Sequence, residues 1–150
     1  MKSASSLGTQ TKGRTLATIP ARTTSKAANK NRAYERALAA AQTAHENKGR
    51  DILLLDLREV TPEFDFFVMV TGGSVRQLHA ISEEIDDTLE KGLHDHRQGV
   101  EGYQQGGWIV LDYGDVIIHL FDEKMRDYYR LDDLWAQAKR IPFVPKEPGR

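Results

Sequence analysis

The chain of 150 residues reads as one α/β domain, a mixed β-sheet of about five strands flanked by helices. Three observations predict this. Helix-period and strand-like segments follow one another in the order α-β-β-α-β-β-β-α. The stretch "GGWIVLDYGDVIIHLF", residues 106–121, holds two apolar runs about a turn, and both faces of each run are apolar, as in a sheet covered on both sides. The length and a hydrophobic content of 39% suit a single core of modest size.

The elements follow in order. Residues 1–30 are rich in Ser, Thr, Lys, Arg and Ala and carry few large apolar groups. They cannot offset their ordering entropy by burial, which predicts a disordered basic N-terminal extension. The domain is predicted over residues 31–141, with a flexible tail at 142–150. In "NRAYERALAAAQTAHENKG", Tyr34, Leu38, Ala41 and His45 recur at helical spacing and Gly49 is the stop. "DILLLDL", 51–57, reads as a buried strand. "REVTPE" supplies a turn at Pro62, and "FDFFVMV", 64–70, is the next strand. In "TGGSVRQLHAISEEIDDTLEKG", Ser74 and Gln77 form a capping-box pattern. Leu78, Ile81, Ile85 and Leu89 make the buried stripe, and Gly92 ends the helix. "GVEGY", 99–103, is a short strand. "WIVLD" and "VIIHLF" form a hairpin about "DYGD", with Gly114 free to take positive φ. Trp108, Val110 and Asp112 share one face by the period of two, and Ile117, His119 and Phe121 share another. "DEKMRDYY" and "LDDLWAQAKR" read as one or two closing helices.

Charge divides the chain. Residues 1–32 hold Lys2, Lys12, Arg14, Arg22, Lys26, Lys30 and Arg32, and no Asp or Glu. The remainder carries 14 basic residues against all 22 acids, so a tail of +7 joins a body of −8. The body lacks the clustered cations that bind phosphate; the tail is a candidate for RNA. The tail also has the composition of an organellar transit peptide, against the plainer reading of a bacterial extension. There is no cysteine, which excludes disulfides, thiol catalysis and cysteine-ligated metal. No apolar run reaches the roughly 18 residues of a membrane span, and no secretory apolar region follows the N-terminus.

Candidate chemistry is sparse. "TGGSVRQ" puts two glycines and a serine before a helix N-terminus, which can hold an anion or simply cap a turn. It lacks the P-loop lysine. Nucleotidyl transfer needs two carboxylates together on a strand to hold Mg²⁺. Asp86 and Asp87 are adjacent on a helix, and Asp112 and Asp115 lie across a turn, so that pair is missing. "HDH", 94–96, has no third ligand at a familiar spacing and reads as a loop. His119 reads as a core or edge histidine satisfied by one hydrogen bond. Arg126, Tyr129 and Trp135 suit an interface or ordinary packing, with Trp135 beside Leu131 and Leu134 in the core.

Taken together, residues 51–135 resemble the ribosomal silencing factors, also called Iojap-like proteins. The resemblance rests on "DFFVMVTGGSVRQLHAI", "EG" at 101–102, "WIVLDYGDVIIHLF" and "RDYYRLDDLW". Asp65, Thr71, Gly72, Ser74, Arg76, Glu101, Gly102, Trp108, Asp112, Gly114, Asp115, His119, Arg126, Tyr129, Leu134 and Trp135 fall in the family's order and spacing. The resemblance implies a nucleotidyltransferase-like fold without transferase activity and without a cofactor. It implies binding to the large ribosomal subunit through its ribosomal protein fourteen (uL14), blocking small-subunit association and lowering translation when nutrients are scarce. An acidic body fits a basic protein partner. On this reading the partner-binding residues are Trp108, Asp112, His119, Arg126 and Tyr129, with Asp112 and Asp115 bracing the hairpin. Contact of the basic tail with rRNA and pairing with a second copy are further partner candidates; a membrane is not. The implied location is the bacterial cytoplasm, or a mitochondrion or chloroplast if the extension is a transit peptide. Two other functions stay open: a large-subunit assembly factor, and a nucleotide-binding enzyme using Ser74 and Arg76.

Overall fold

The computed structural model describes the backbone of residues 19–147 and the side chains of residues 32–147. The expected disorder of residues 1–18 lies outside the described residues. Helix α1 spans Ile19–Glu46 and so begins well before Asn31. One compact unit of the chain starts at Arg32, within that helix. It continues through β1 (Arg50–Asp56), β2 (Phe66–Gly72), α2 (Val75–Asp87), β3 (Gly99–Glu101), β4 (Trp108–Asp112), β5 (Val116–Asp122), α3 (Glu123–Tyr129), α4 (Leu131–Leu134) and β6 (Lys139–Ile141).

Six strands, one more than expected, form a mixed sheet in the order β3-β4-β5-β2-β1-β6. β2 and β5 run parallel at its centre and the other neighbours are antiparallel. Every residue of β2 and all but the last of β5 are buried. That is why both read as unbroken apolar runs. The predicted closing helix over residues 131–140 is corrected: α4 is a single turn, and Lys139–Ile141 pairs with β1 as an edge strand. Residues 142–147, expected as a loose tail, are held against α1. The Lys146 N–H donates to Gln42 Oε1, Gln42 Nε2 donates to the Lys146 carbonyl, and Phe143 packs on the core.

One face of the sheet is covered by α1 and α2. The α1 contact is made by Ala33, Ala37, Ala40, Ala41 and Ala44, all fully buried, while Tyr34 is 40% exposed. Of the predicted stripe, Ala41 is buried and Leu38 packs partly buried on the core, while Tyr34 gives way to further alanines. Alanines bring the helix axis close to the sheet, and large side chains there would overpack it. The helix ends with Lys48 in the left-handed region (φ 69°), its N–H bonding the His45 carbonyl while the Gly49 N–H bonds that of Ala44. This is a Schellman stop. Gly49 is needed for space, since a Cβ would strike Val70.

α2 buries the predicted Leu78, Ile81 and Ile85, and Leu89 follows in a π-helical turn, Thr88–Gly92. Ser74 caps the helix by accepting the Gln77 N–H. The reciprocal bond departs from a capping box: Gln77 Oε1 accepts from Gly73 N, and Gln77 Nε2 donates to the carbonyls of Asn47 and Lys48. Gln77 thereby ties the start of α2 to the end of α1.

Candidate functional site

The opposite face of the sheet is covered by α3 and α4 at one end. The β4–β5 register pairs Trp108 with Phe121, Val110 with His119 and Asp112 with Ile117. Directly opposed residues of an antiparallel pair point to the same side. The two sets read from the sequence as separate faces are therefore one face. β2 extends it with Thr71, Met69 and Phe67.

His119 lies in the middle of this face and is 6% exposed. The Trp108 indole Nε1–H donates to His119 Nδ1 at 3.2 Å. An accepting Nδ1 places the ring proton on Nε2. That Nε2 is buried and has no hydrogen-bond partner among the described residues. The ring stands edge-to-face with Phe67 at 4.6 Å and near-parallel to Phe121 at 5.9 Å. Burial pushes its pKa down to about 4, so the ring is neutral at pH 7. A neutral imidazole inside an aromatic cluster holds Trp108 in orientation. Trp108, half-buried, packs on Phe121 at 5.1 Å and on Tyr129 at 4.8 Å.

The α3–α4 corner has an unusual exposure pattern. α3 buries none of its residues. Met125, Tyr128 and Tyr129 are 37%, 78% and 47% exposed, and Leu134 of α4 is 72% exposed. Leu134 is thus not core, while Leu131 is buried and Trp135 packs on Phe67. Lys124, Met125, Asp127, Tyr128 and Tyr129 line a shallow groove of about 480 Å³. Sequence reasoning missed Met125 and Tyr128. The available signal was a seven-residue helix with more apolar side chains than it could bury.

Arg126 is turned inward, with its side chain 14% exposed. Nη1 donates to the Asp51 carbonyl at 2.6 Å and Thr71 Oγ1 at 2.9 Å; Nε and Nη2 donate to the Asp132 carboxylate at 3.3 and 2.9 Å. Burial raises the Asp132 pKa, but the Arg126 hydrogen bonds and charge outweigh it and leave it lowered. Arg126 thus fastens the corner to the ends of β1 and β2.

Asp112 Oδ1 accepts the Gly114 N–H at 2.8 Å and closes the hairpin turn, where Gly114 has φ 90°. The Asp115 carbonyl accepts from the N–H groups of Asp65 and Phe66, and its Oδ1 accepts from Arg36 Nη2 at 2.8 Å. Both aspartates therefore brace the hairpin. Arg36, unremarked in the sequence, is 5% exposed and also donates to Asp95 Oδ2 and the Tyr113 carbonyl. Burial lowers its pKa, but the hydrogen bond and charge of Asp115, with Asp95, more than offset this and raise it.

The other candidates are occupied by local structure. Ser74 is the α2 cap. Asp86 accepts from the Tyr113 hydroxyl and pairs with Arg97. His94 and His96 lie in a loop, and His96 pairs with Glu90. Among the described residues no group of three or more His, Asp and Glu is placed to hold a metal. Nor is any helix among them long and apolar enough to cross a membrane.

Fold and face together define a small α/β protein with an aromatic cluster and exposed apolar side chains on one side of a mixed sheet. The chain belongs to the RsfS family, described as ribosomal silencing factor during starvation, whose model matches residues 30–149. The ribosomal silencing factor RsfS of Bacillus subtilis is 35% identical over 100 residues, 66% of this chain and 83% of its own. The chloroplastic protein Iojap of Zea mays is 33% identical over 109 residues, 71% of this chain and 47% of its own. A crystal structure of a Chromobacterium violaceum protein superposes with a TM-score of 0.66 at 30% identity, covering 78% of this chain and 96% of that one.

Proposed function

We propose that this protein is a ribosomal silencing factor that works by steric block. It binds the large ribosomal subunit through uL14, occupies the surface that meets the small subunit, and so lowers translation. The observation that carries this reading is the α3–α4 corner, where Met125, Tyr128, Tyr129 and Leu134 stand exposed and Tyr129 packs on Trp108. Aromatic anchors next to a rigid sheet are the usual core of a protein–protein interface. The exposed acid Asp127 lies within the same groove, and the body's net charge of −8 suits a basic ribosomal protein. Among the residues read from the sequence, Trp108 and Tyr129 serve as contact residues. His119 and Arg126 hold them from behind, and Asp112 fixes the hairpin beside them. Such a mechanism needs binding alone, with no catalytic group and no cofactor.

The test is co-sedimentation of the purified protein with large subunits, followed by addition of small subunits. The protein should pellet with the large subunit and subunit joining should fall. Tyr129→Ala combined with Trp108→Ala should weaken binding by about 10-fold to 1,000-fold, the range for losing one or two hot-spot side chains. A protein that stays in the supernatant, or a double variant that binds unchanged, overturns the assignment.

A further inference from the structure

A cleft of about 550 Å³ lies between α2 and the β3 edge of the sheet, and shares no residue with the groove of the α3–α4 corner. Its volume falls in the ordinary range of small-molecule sites, roughly 300–1,000 Å³. Ser82, Glu83 and Asp86 of α2 form one wall, and Arg97, Val100 and the connection 102–105 form the other. The second wall is fastened to the first. The Tyr103 ring stacks on His79 at 4.1 Å, its carbonyl accepts from His79 Nε2 at 2.6 Å, and its hydroxyl donates to Glu83 Oε2 at 2.7 Å. Ser82 is 1% exposed, and its Oγ has no hydrogen-bond partner among the described residues. A buried hydroxyl without a partner costs stability, and alanine would suit the interior of α2 better. Charge is also left over. Asp86 Oδ1 accepts from the Tyr113 hydroxyl and its Oδ2 faces Arg97 Nη1 at 3.6 Å, so those two charges offset each other. Among the described residues Glu83 receives one neutral donor, the Tyr103 hydroxyl, and no cation.

We propose that this cleft binds a small aliphatic amine or guanidine, whose cation pairs with Glu83 and whose further N–H donor reaches the buried Ser82 hydroxyl. Three points select this class. The unpaired carboxylate favours a cation and rejects an anion. Ammonium and guanidinium groups supply several N–H donors each, which suits a cleft whose unmet groups, the Ser82 oxygen and the free Glu83 oxygen, both accept. The Tyr103 ring and the Val100 side chain offer an aromatic and an apolar wall, where a cation and a short methylene chain are at home. A ligand that satisfies Ser82 offsets a cost that the free protein carries, which is the usual trade between stability and binding. Because Tyr103 is held by His79 and Glu83, the cleft is preorganised and little ordering is required on binding. None of this rests on the ribosomal role.

The experiment titrates the ¹⁵N-labelled full chain with agmatine, which carries a guanidinium and an ammonium, and with neutral n-butylurea as the control. Backbone amide shifts report both affinity and place. Agmatine should give saturable shifts at residues 82–86 and 97–105, and n-butylurea should give none. Glu83→Gln should weaken agmatine binding about 10-fold, the loss expected for one charge-assisted hydrogen bond. Ser82→Ala separates a binding role from a packing role. It should weaken agmatine binding several-fold and yet raise the melting temperature, because it removes a buried hydroxyl that has no partner. Absence of saturable shifts at millimolar agmatine overturns the proposal. So do equal shifts with n-butylurea, which would show that charge is not read. Shifts centred on the acidic α3–α4 corner overturn it as well, since they report general attraction of a cation to an acidic body. Unchanged affinity in Glu83→Gln removes the charge partner and with it the assignment. A lowered melting temperature in Ser82→Ala with unchanged affinity makes Ser82 a packing residue and likewise overturns it.

Discussion

His119 is the least expected residue of the aromatic face, a neutral imidazole with a buried Nε2–H and a single hydrogen bond, accepted from Trp108. Its folded pKa of about 4 lies below the ordinary value of 6.5, so between these limits the unfolded chain binds more protons than the folded one. The contribution is fully present above pH 6.5 and is lost as pH falls toward 4. It amounts to at most about 3 kcal/mol from the shift. His119→Gln keeps an acceptor near the indole and removes the titration. Chemical denaturation at several pH values should show the unmodified protein losing stability between pH 6.5 and 4, and the variant losing clearly less over that interval. Equal slopes would show that His119 is not the titrating group. Asp132, whose pKa is lowered, acts in a separate window, losing its contribution only as pH falls below the ordinary carboxylate range.

At the scale of elements, two connections decide whether the face is assembled. The first joins β3 to β4. Gly102 has φ 78°, and a Cβ there would overlap the Trp108 carbonyl oxygen. Gly102→Ala should therefore cost about 2–4 kcal/mol, since both the backbone conformation and the space oppose it. A melting curve checks this, and a shift of only a degree or two would show that the turn adapts. The second is the α3–α4 corner. Arg126→Ala removes four internal hydrogen bonds and leaves Asp132 without its partner. It should lower stability by about 2–4 kcal/mol and weaken subunit binding together with it. Loss of binding at unchanged melting temperature would instead make Arg126 a direct contact. These elements also show what the sequence could and could not reveal. The hairpin was legible as two apolar runs about a glycine turn and α2 as a sustained helical apolar period, because burial dictates both patterns. β6 was not, since "KRI" pairs through backbone with β1 and two of its three side chains are exposed. The α1 stripe was legible at Leu38 and Ala41 but not at Ala33, Ala37, Ala40 and Ala44, because alanine carries little hydropathy signal, although close approach requires it. Trp108 and Tyr129 could be singled out from the sequence, and the two rings pack on each other, but the inward turn of Arg126 and the role of Arg36 depend on contacts some 55 to 80 positions away in sequence. No local pattern encodes those.

For the whole molecule, charge is divided between a basic N-terminal stretch and an acidic body. The body's excess of acids includes Asp127 in the exposed groove and Asp133, whose pairing with Arg130 is long (3.5 Å) and solvent-exposed. Exposed charges of this kind contribute little to fold stability, because water and salt screen them. They act over distance by steering encounter, which appears in the association rate more than in residence time. Asp127→Asn with Asp133→Asn should therefore leave the melting temperature within a degree or two and lower the rate of association with the large subunit several-fold at low salt. The difference should shrink as ionic strength rises, and the dissociation rate should hardly change. Stopped-flow fluorescence with labelled subunits measures both rates. A variant that associates at the original rate but dissociates faster would place these carboxylates within the interface itself, as short-range contacts of the corner that Tyr129 and Trp108 anchor.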